Sequence, residues 1–302
     1  MKVAVYYNNR DVRIEKVPRP EIHDGELLVK IMSSGICGSD VMEWYRIKKA
    51  PLVLGHEITG VVEKVGEGIV GFHRGDRVVV THHVPCDTCK YCQSGKGTMC
   101  ETLKTTNFYP GGFAEYVRVP KINVEKGTLH LPDEISFEEG TFIEPLGCVV
   151  RGQRTVGIEE GQTVLVLGSG ISGILHVQLA KVRGAKKVIA TDVSQNRLNA
   201  AMALGADVVI DAMDDVPSRV IMENDGKPAD RVVVCTGAVA AINHAFESVD
   251  RGGTILFFAP TEPGVEIPIH VDELWINEIT LATSYGALKE DLKEAMDLIK
   301  NK

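Results

Sequence analysis

Cysteine, histidine and carboxylate side chains are the residues here whose types and spacing could do chemistry, and the cysteines are the most concentrated. From Pro85 to Cys100 the sequence reads PCDTCKYCQSGKGTMC, which places Cys86, Cys89, Cys92 and Cys100, four of the seven cysteines, in one short stretch. The spacing C-x2-C-x2-C-x7-C leaves four readings open: disulfides, a redox pair, an iron–sulfur cluster or a structural metal. Short C-x2-C steps let a tight turn aim successive thiolates at one centre, as tetrahedral zinc sites do with metal–sulfur distances of ~2.3 Å. Four-cysteine iron–sulfur spacings overlap with this one. A redox dithiol needs only two of the four. Lys90, Gln93, Ser94, Gly95, Lys96 and Gly97 surround the sulfurs, so the stretch is a solvated loop and structural zinc is the favoured reading.

The compartment bears on that reading. The chain has 302 residues, with 44% hydrophobic and 25% charged, in the range of ordinary globular proteins. MKVAVYYNNRDVRIEKV opens like a strand without the apolar stretch of a signal peptide, and no apolar run is long enough to span a membrane. A cytoplasmic protein is expected, in a compartment that keeps thiols reduced and turns cysteine clusters toward metal or chemistry. The net charge of −8 argues against a nucleic-acid partner.

A second candidate is GSGISG, spanning Gly168, Gly170, Ile171, Ser172 and Gly173. A lone GxGxxG is a weak signal, but here a strand-like TVLVLG precedes it and a helical pattern from Ile171 to Val182 follows. Asp192 ends the next strand, nineteen residues past Gly173, near the ~20 of a dinucleotide-binding turn. The glycines let the backbone approach a pyrophosphate at the helix N-terminus. Asp192 would bond the ribose hydroxyls and repel a 2′-phosphate, favouring NAD over NADP. The plainer alternative is a tight turn with Asp192 capping the following helix. Arg197 either stacks on the adenine or is a solvated helix residue.

These residues need two kinds of scaffold. Up to about residue 150 the chain is rich in short strand-like runs (KVAVYY, ELLVKIMSSG, ITGVVEKVG, DRVVVTH, FAEYVRVP) punctuated by Gly and Pro, which predicts a β-barrel or sandwich. From Arg151 strands alternate with helical patterns: KVIATD, ADVVI, DRVVVCTG, GTILFFA and ITLATSY follow TVLVLG. Six apolar strands linked by helices predict a doubly wound parallel sheet.

Two further patterns, GICGSD (Gly35 to Asp40) and LGHEITG (Leu54 to Gly60), precede the cysteine cluster, and EPLGCVV begins at Glu144. Cys37 offers a thiolate, His56 an imidazole, and Glu57 and Glu144 carboxylates of the kind found in zinc sites with an open position. Singly, each reads as a buried cysteine, a core histidine or a solvated glutamate. In order with the cysteine cluster and GSGISG, over nearly the whole chain, they resemble the zinc-containing medium-chain dehydrogenase/reductase family, most nearly its sorbitol (polyol) and threonine dehydrogenase branch.

That resemblance implies an α/β architecture: a GroES-like β-barrel catalytic domain over 1–150 and a Rossmann NAD-binding domain over 151–302. It implies two zincs, a structural one at Cys86, Cys89, Cys92 and Cys100, and a catalytic one at Cys37, His56 and Glu57. Glu144 matches a carboxylate that contacts the zinc-bound water or replaces a ligand, Asp40 a residue that orients the histidine, and Ser39 the hydroxyl that passes the proton away. Met42 departs from the pattern, standing where many relatives carry a histidine that ends the proton relay. Cys235 reads as core, and Cys148 as a small buried residue one helical turn after Glu144. The implied reaction is hydride transfer from a polyol or secondary alcohol to NAD. The alternatives are a threonine-type 3-hydroxy amino acid substrate, and a non-catalytic NAD- and zinc-binding relative inactivated by truncation. An iron–sulfur electron carrier is a third, and it would be coloured. A homo-oligomer, tetramer or dimer, is expected, built partly through Rossmann-domain edges at GTILFFAPTEPGVEIPIHVDEL. Family members usually run on past the amphipathic helix EDLKEAMDLIKNK, so helix 288–300 is expected to begin a return to the catalytic domain that this chain lacks.

Overall fold

The computed structural model describes residues 1–301, and these divide into two units. The first comprises Met1–Gly147 with the described residues from Gly286 onward, and the second Cys148–Tyr285. The terminal helix Lys289–Asn301 thus belongs with the first unit.

The first unit carries β1 (Lys2–Asn8), β2 (Asp11–Lys16), β3 (Leu27–Gly35), β4 (Leu52–Val53), β5 (Glu57–Val65), β6 (Arg77–Val80), β7 (Tyr116–Val119) and β8 (Thr128–His130). They form two antiparallel sheets, ordered β2-β1-β4 and β7-β3-β5-β6-β8. In the larger sheet every second residue points to one core: Leu27 and Val29, Val78 and Val80, Val117 and Val119, joined by Ile58, Val62 and Phe108. That alternation makes register decisive, because a slip of one residue would turn the apolar set to water. The β3–β5 register pairs Gly35 with Glu57, so the end of β3 lies beside the start of β5.

The second unit carries β9 (Thr163–Leu167), β10 (Lys187–Asp192), β11 (Val208–Asp211), β12 (Ala229–Val234), β13 (Val249–Phe257) and β14 (Thr280–Thr283). They pair in parallel in the order β11-β10-β9-β12-β13-β14, the Rossmann order, whose direction reverses between β9 and β12. The sequence TVLVL explains why both faces need cover. Val164 and Val166 pack with Val177, Ala180 and Ala201 on one side. Leu165 and Leu167 pack with Val220, Ile242 and Ala245 on the other. Fully buried β9 is therefore apolar at every position after Thr163, whose hydroxyl donates to Asn224 at 2.8 Å, as a strand covered by helices on both faces must be.

Candidate active site and metal centres

Strand pairing assembles the first site. Cys37 follows β3 by two residues and caps the short turn Gly38–Asp40. His56 and Glu57 stand at the start of β5. Because those two strand ends are register neighbours, one ligand atom from each of Cys37, His56 and Glu57 lies within 4.8 Å of the others. Gly35 makes this meeting possible: a Cβ there would lie 2.1 Å from Glu57 Oε2. The glycine's missing side chain is the space that the Glu57 carboxylate occupies.

A thiolate, an imidazole and a carboxylate are three protein ligands of the kinds zinc takes, and three leave a fourth position for substrate or water. The neighbours fit that use. Asp40, with 4% of its surface exposed, faces His56 Nδ1 at 3.6 Å through Oδ1, leaving Nε2 to the metal. Its Oδ2 accepts the Cys37 backbone N–H at 3.1 Å, and the Ser39 N–H points at Cys37 Sγ at 3.4 Å. Burial opposes a charge on His56, but Asp40, Cys37 and Glu144 outweigh it and hold its pKa well above the ordinary imidazole value. Burial and then the Glu144 charge push Glu57 up to about 7. Glu144, in the first turn of the helix Ile143–Val156, is therefore close enough to act on both residues electrostatically.

Three side chains of the site are absent from the sequence reading. Arg46 donates from Nε to the Ser39 carbonyl at 2.9 Å, and from Nη2 to Ser39 Oγ at 2.7 Å and to Asp40 Oδ1 at 3.2 Å. The His82 ring lies tilted 4.6 Å from the His56 ring and 3.7 Å from the His83 ring, and its buried Nδ1 has no partner among the described residues. Burial, reinforced by His56, keeps both neutral, with His83 lowered to about 4. The available signal is THHVPC, which places both histidines immediately before the cysteine cluster.

That cluster forms the second centre, in the excursion between β6 and β7. Sγ–Sγ distances are 3.5 Å for Cys89–Cys92, 3.6 Å for Cys86–Cys100 and 4.0 Å for Cys86–Cys92. Four sulfurs at ~2.3 Å from a tetrahedral zinc stand ~3.8 Å apart, so the spacing matches a closed four-thiolate site. No disulfide joins them. The Cys86 N–H points at Cys100 Sγ at 3.4 Å, and the Thr88 hydroxyl at Cys86 Sγ at 3.5 Å. The Thr88 hydroxyl and neighbouring backbone N–H groups hold the Cys86 thiol down to about 5. The lobe's own core is small: Cys100, Leu103 and Leu288 are buried, with Cys86, Cys89 and Cys92 packed against them. Lys126 ties it down from outside, donating to the Cys86 carbonyl at 2.9 Å and pairing with Asp87.

In the second unit, Gly168 takes a φ of +95°, and Gly170 caps the helix Ile171–Val182. A Cβ on Gly173 would lie 1.9 Å from the Gly168 carbonyl oxygen, so the turn closes only on glycine. Asp192 ends β10 and reaches this turn: its Oδ2 accepts the Ser169 N–H and its Oδ1 the Ser194 N–H, both at 2.9 Å. Arg197 Nη1 stands 3.6 Å from the same carboxylate. Each Asp192 oxygen keeps a lone pair for a hydroxyl donor. Cys235 is half-buried against the core of this unit, and desolvation raises its thiol pKa.

Comparison with known proteins agrees with both halves. The model of the alcohol dehydrogenase GroES-like domain matches residues 23–133, and that of the zinc-binding dehydrogenase residues 172–301. Sorbitol dehydrogenase of Gallus gallus is 35% identical over 277 residues, covering 88% of this chain and 77% of that protein. Sorbitol dehydrogenase of Bacillus subtilis is 33% identical, covering 96% of this chain and 82% of that protein. Among solved structures, a protein designated a zinc-binding dehydrogenase from Sinorhizobium meliloti 1021, bound to NADP, superposes with a TM-score of 0.89 at 27% identity, over 99% of this chain and 88% of that one. With two family models along the chain and polyol dehydrogenases matched over most of their length, the chain belongs to the zinc-containing medium-chain dehydrogenase/reductase family, on its polyol dehydrogenase branch.

Proposed function

We propose that this chain oxidises a polyol or related secondary alcohol with NAD at a zinc held by Cys37, His56 and Glu57. One observation carries the reading: a thiolate, an imidazole and a carboxylate meet at two adjacent strand ends, with the Ser39 hydroxyl two residues past the first of them. Zinc in such a set supplies Lewis acidity that lowers the pKa of a substrate hydroxyl, and the oxidised nicotinamide accepts hydride from the carbon. Asp40 keeps His56 in the tautomer that presents Nε2. Ser39 Oγ takes the hydroxyl proton while its own proton moves on. Met42 has no group to receive that proton, and a guanidinium cannot, so it leaves to water. Glu144 adds negative charge beside His56 and Glu57.

The four-cysteine lobe takes the second zinc, as a staple. Gly168, Gly170, Ile171, Ser172 and Gly173 cradle the pyrophosphate, Asp192 receives the ribose hydroxyls, and Arg197 flanks the adenine. The Asp192 carboxylate disfavours a 2′-phosphate, although the Sinorhizobium protein holds NADP. Seven free cysteines suit a cytoplasmic setting, and no described helix is long and apolar enough to cross a membrane. The open edge of β14, with Trp275 79% and Ile276 70% exposed nearby, suits association into a dimer or tetramer.

The test is zinc per chain by native mass spectrometry, with and without a mild chelator, followed by NADH formation from sorbitol, xylitol and a vicinal diol. Two zincs, one easily removed, and polyol-dependent NADH are expected, with kcat/KM for NAD at least about tenfold above that for NADP. One zinc and no NADH would reduce the chain to a nucleotide-binding relative. Turnover with threonine alone would move the substrate to the 3-hydroxy amino acids.

A further inference from the structure

We infer that Arg46 is a positioning residue for the proton step, an inference that rests on the function proposed above. Its guanidinium grips the Ser39 carbonyl, Ser39 Oγ and Asp40 Oδ1 at 2.9, 2.7 and 3.2 Å. Only 14% of its side chain and 3% of the Asp40 side chain are exposed. A buried carboxylate without a counter-charge is costly, and Arg46 places its positive charge 3.2 Å from the Asp40 oxygen that faces His56.

The direction of the Ser39 contact sets the direction of the proton. A guanidinium donates five hydrogens and accepts none, so Arg46 fills one lone pair of Oγ. The second lone pair remains to accept from a substrate hydroxyl, and the hydrogen of Ser39 must point elsewhere. As the substrate O–H breaks, a new O–H forms on Oγ and the original one breaks toward water. Ser39 ends as it began, and one proton has left the site. The adjacent cation also favours the negative charge that gathers on Oγ during the exchange.

The nitrogen that holds Ser39 Oγ also reaches the ligand cluster. Nη2 of Arg46 and Nδ1 of His56 share Asp40 Oδ1, while Oδ2 takes the Cys37 N–H. Losing Arg46 therefore frees both the proton carrier and the carboxylate that aims His56.

The experiment compares the parent chain, Arg46→Ala and Arg46→Lys, all loaded with zinc. Arg46→Ala is expected to keep both zincs but to melt lower, since buried Asp40 loses its counter-charge, and to release the open-site zinc to chelator about tenfold faster, with the four-cysteine zinc unaffected. With a polyol and NAD its kcat should fall about 10–100-fold while KM stays within about threefold, and added guanidinium ion should restore part of the loss. Lysine, a point charge without the fork, should restore less than guanidinium does. Unchanged chelator kinetics together with unchanged kcat would overturn the inference. So would a kcat loss matched by zinc loss and not rescued by guanidinium. A parent chain that holds two zincs but oxidises no polyol would overturn the proposed function instead, and the chelator kinetics would still decide whether Arg46 holds the site.

Discussion

The four-cysteine lobe and the Cys37–His56–Glu57 cluster are both sized for a metal ion, yet their surroundings differ in kind. In the lobe four sulfurs face one another, and the groups that point at them are neutral: backbone N–H donors and the Thr88 and Thr102 hydroxyls. A tetrahedral ion there has no position left for anything else. In the open cluster the donors are three, each of a different type, and charged side chains crowd them: Asp40, Arg46 and Glu144. Neutral His82 lies tilted beside them. Ligand number and the chemistry of the next layer separate a staple from a site that can bind and turn over a substrate.

The largest effect that tests this contrast is loss of a ligand at the open site. His56→Ala should leave one zinc per chain and lower turnover by about a thousand-fold or more, which is the worth of several kcal/mol of Lewis-acid stabilisation at ~1.36 kcal/mol per tenfold. Retention of two zincs would place the labile ion elsewhere. Cys100→Ala asks the same question of the lobe and should answer differently. The lobe's zinc should be lost and its amides should exchange freely, because Cys100, Leu103 and Leu288 make a small core for so long an excursion. Turnover of the chain that remains folded should fall by less than about tenfold. A loss as large as that of His56→Ala would mean that the two centres are not separable.

A subtler substitution removes no ligand. In Gly35→Ala the new methyl collides with Glu57 Oε2, so the carboxylate must turn away from Cys37 and His56. Zinc affinity of the open site should drop about 10–100-fold, as when a ligand loses its orientation, with the four-cysteine zinc retained. An unchanged affinity would remove Glu57 from the ligand set.

How much of this is legible in the sequence depends on whether local pattern or strand neighbourhood carries the information. The second unit is nearly all local. TVLVL, KVIATD and the helix Ile171–Val182 announce themselves by run length, period and flanking glycine, and the parallel order follows from their alternation. In the first unit, β2 escapes because four of its six residues are exposed, and β4 because it is two residues long. At the open site the donor types and their order along the chain can be read, aided by the family resemblance. The role of Gly35 cannot, since it exists only once the β3–β5 register sets it opposite Glu57. Arg46 is hidden for a similar reason: seven residues beyond Ser39, it looks like a surface cation until the short helix Glu43–Arg46 turns it inward. His82 and His83 lie in plain view in THHVPC but say nothing until the His82 ring is seen against His56 and the His83 ring against His82.

The smallest effect is in pH and concerns Glu57 in chelated protein. Its pKa is raised from the ordinary glutamate value to about 7, by burial first and then by Glu144. The folded chain therefore holds a proton that the unfolded chain has released, throughout the window between ~4.5 and 7. With more protons bound in the folded state, stability must fall as pH rises across that window. The contribution is fully present below the unfolded value and is gone above pH 7, where a buried carboxylate stands charged beside Glu144. Glu57→Gln carries no such proton. The difference in melting temperature between chelated parent and chelated Glu57→Gln should therefore move steadily against the parent from pH 5 to pH 7. Zinc should abolish that drift, because a bound cation holds Glu57 ionised at every pH in the range. A difference that stays flat without zinc would mean that Glu57 is already charged in the folded chain, and the open cluster would then differ from the lobe in its donors but not in its cost of standing empty.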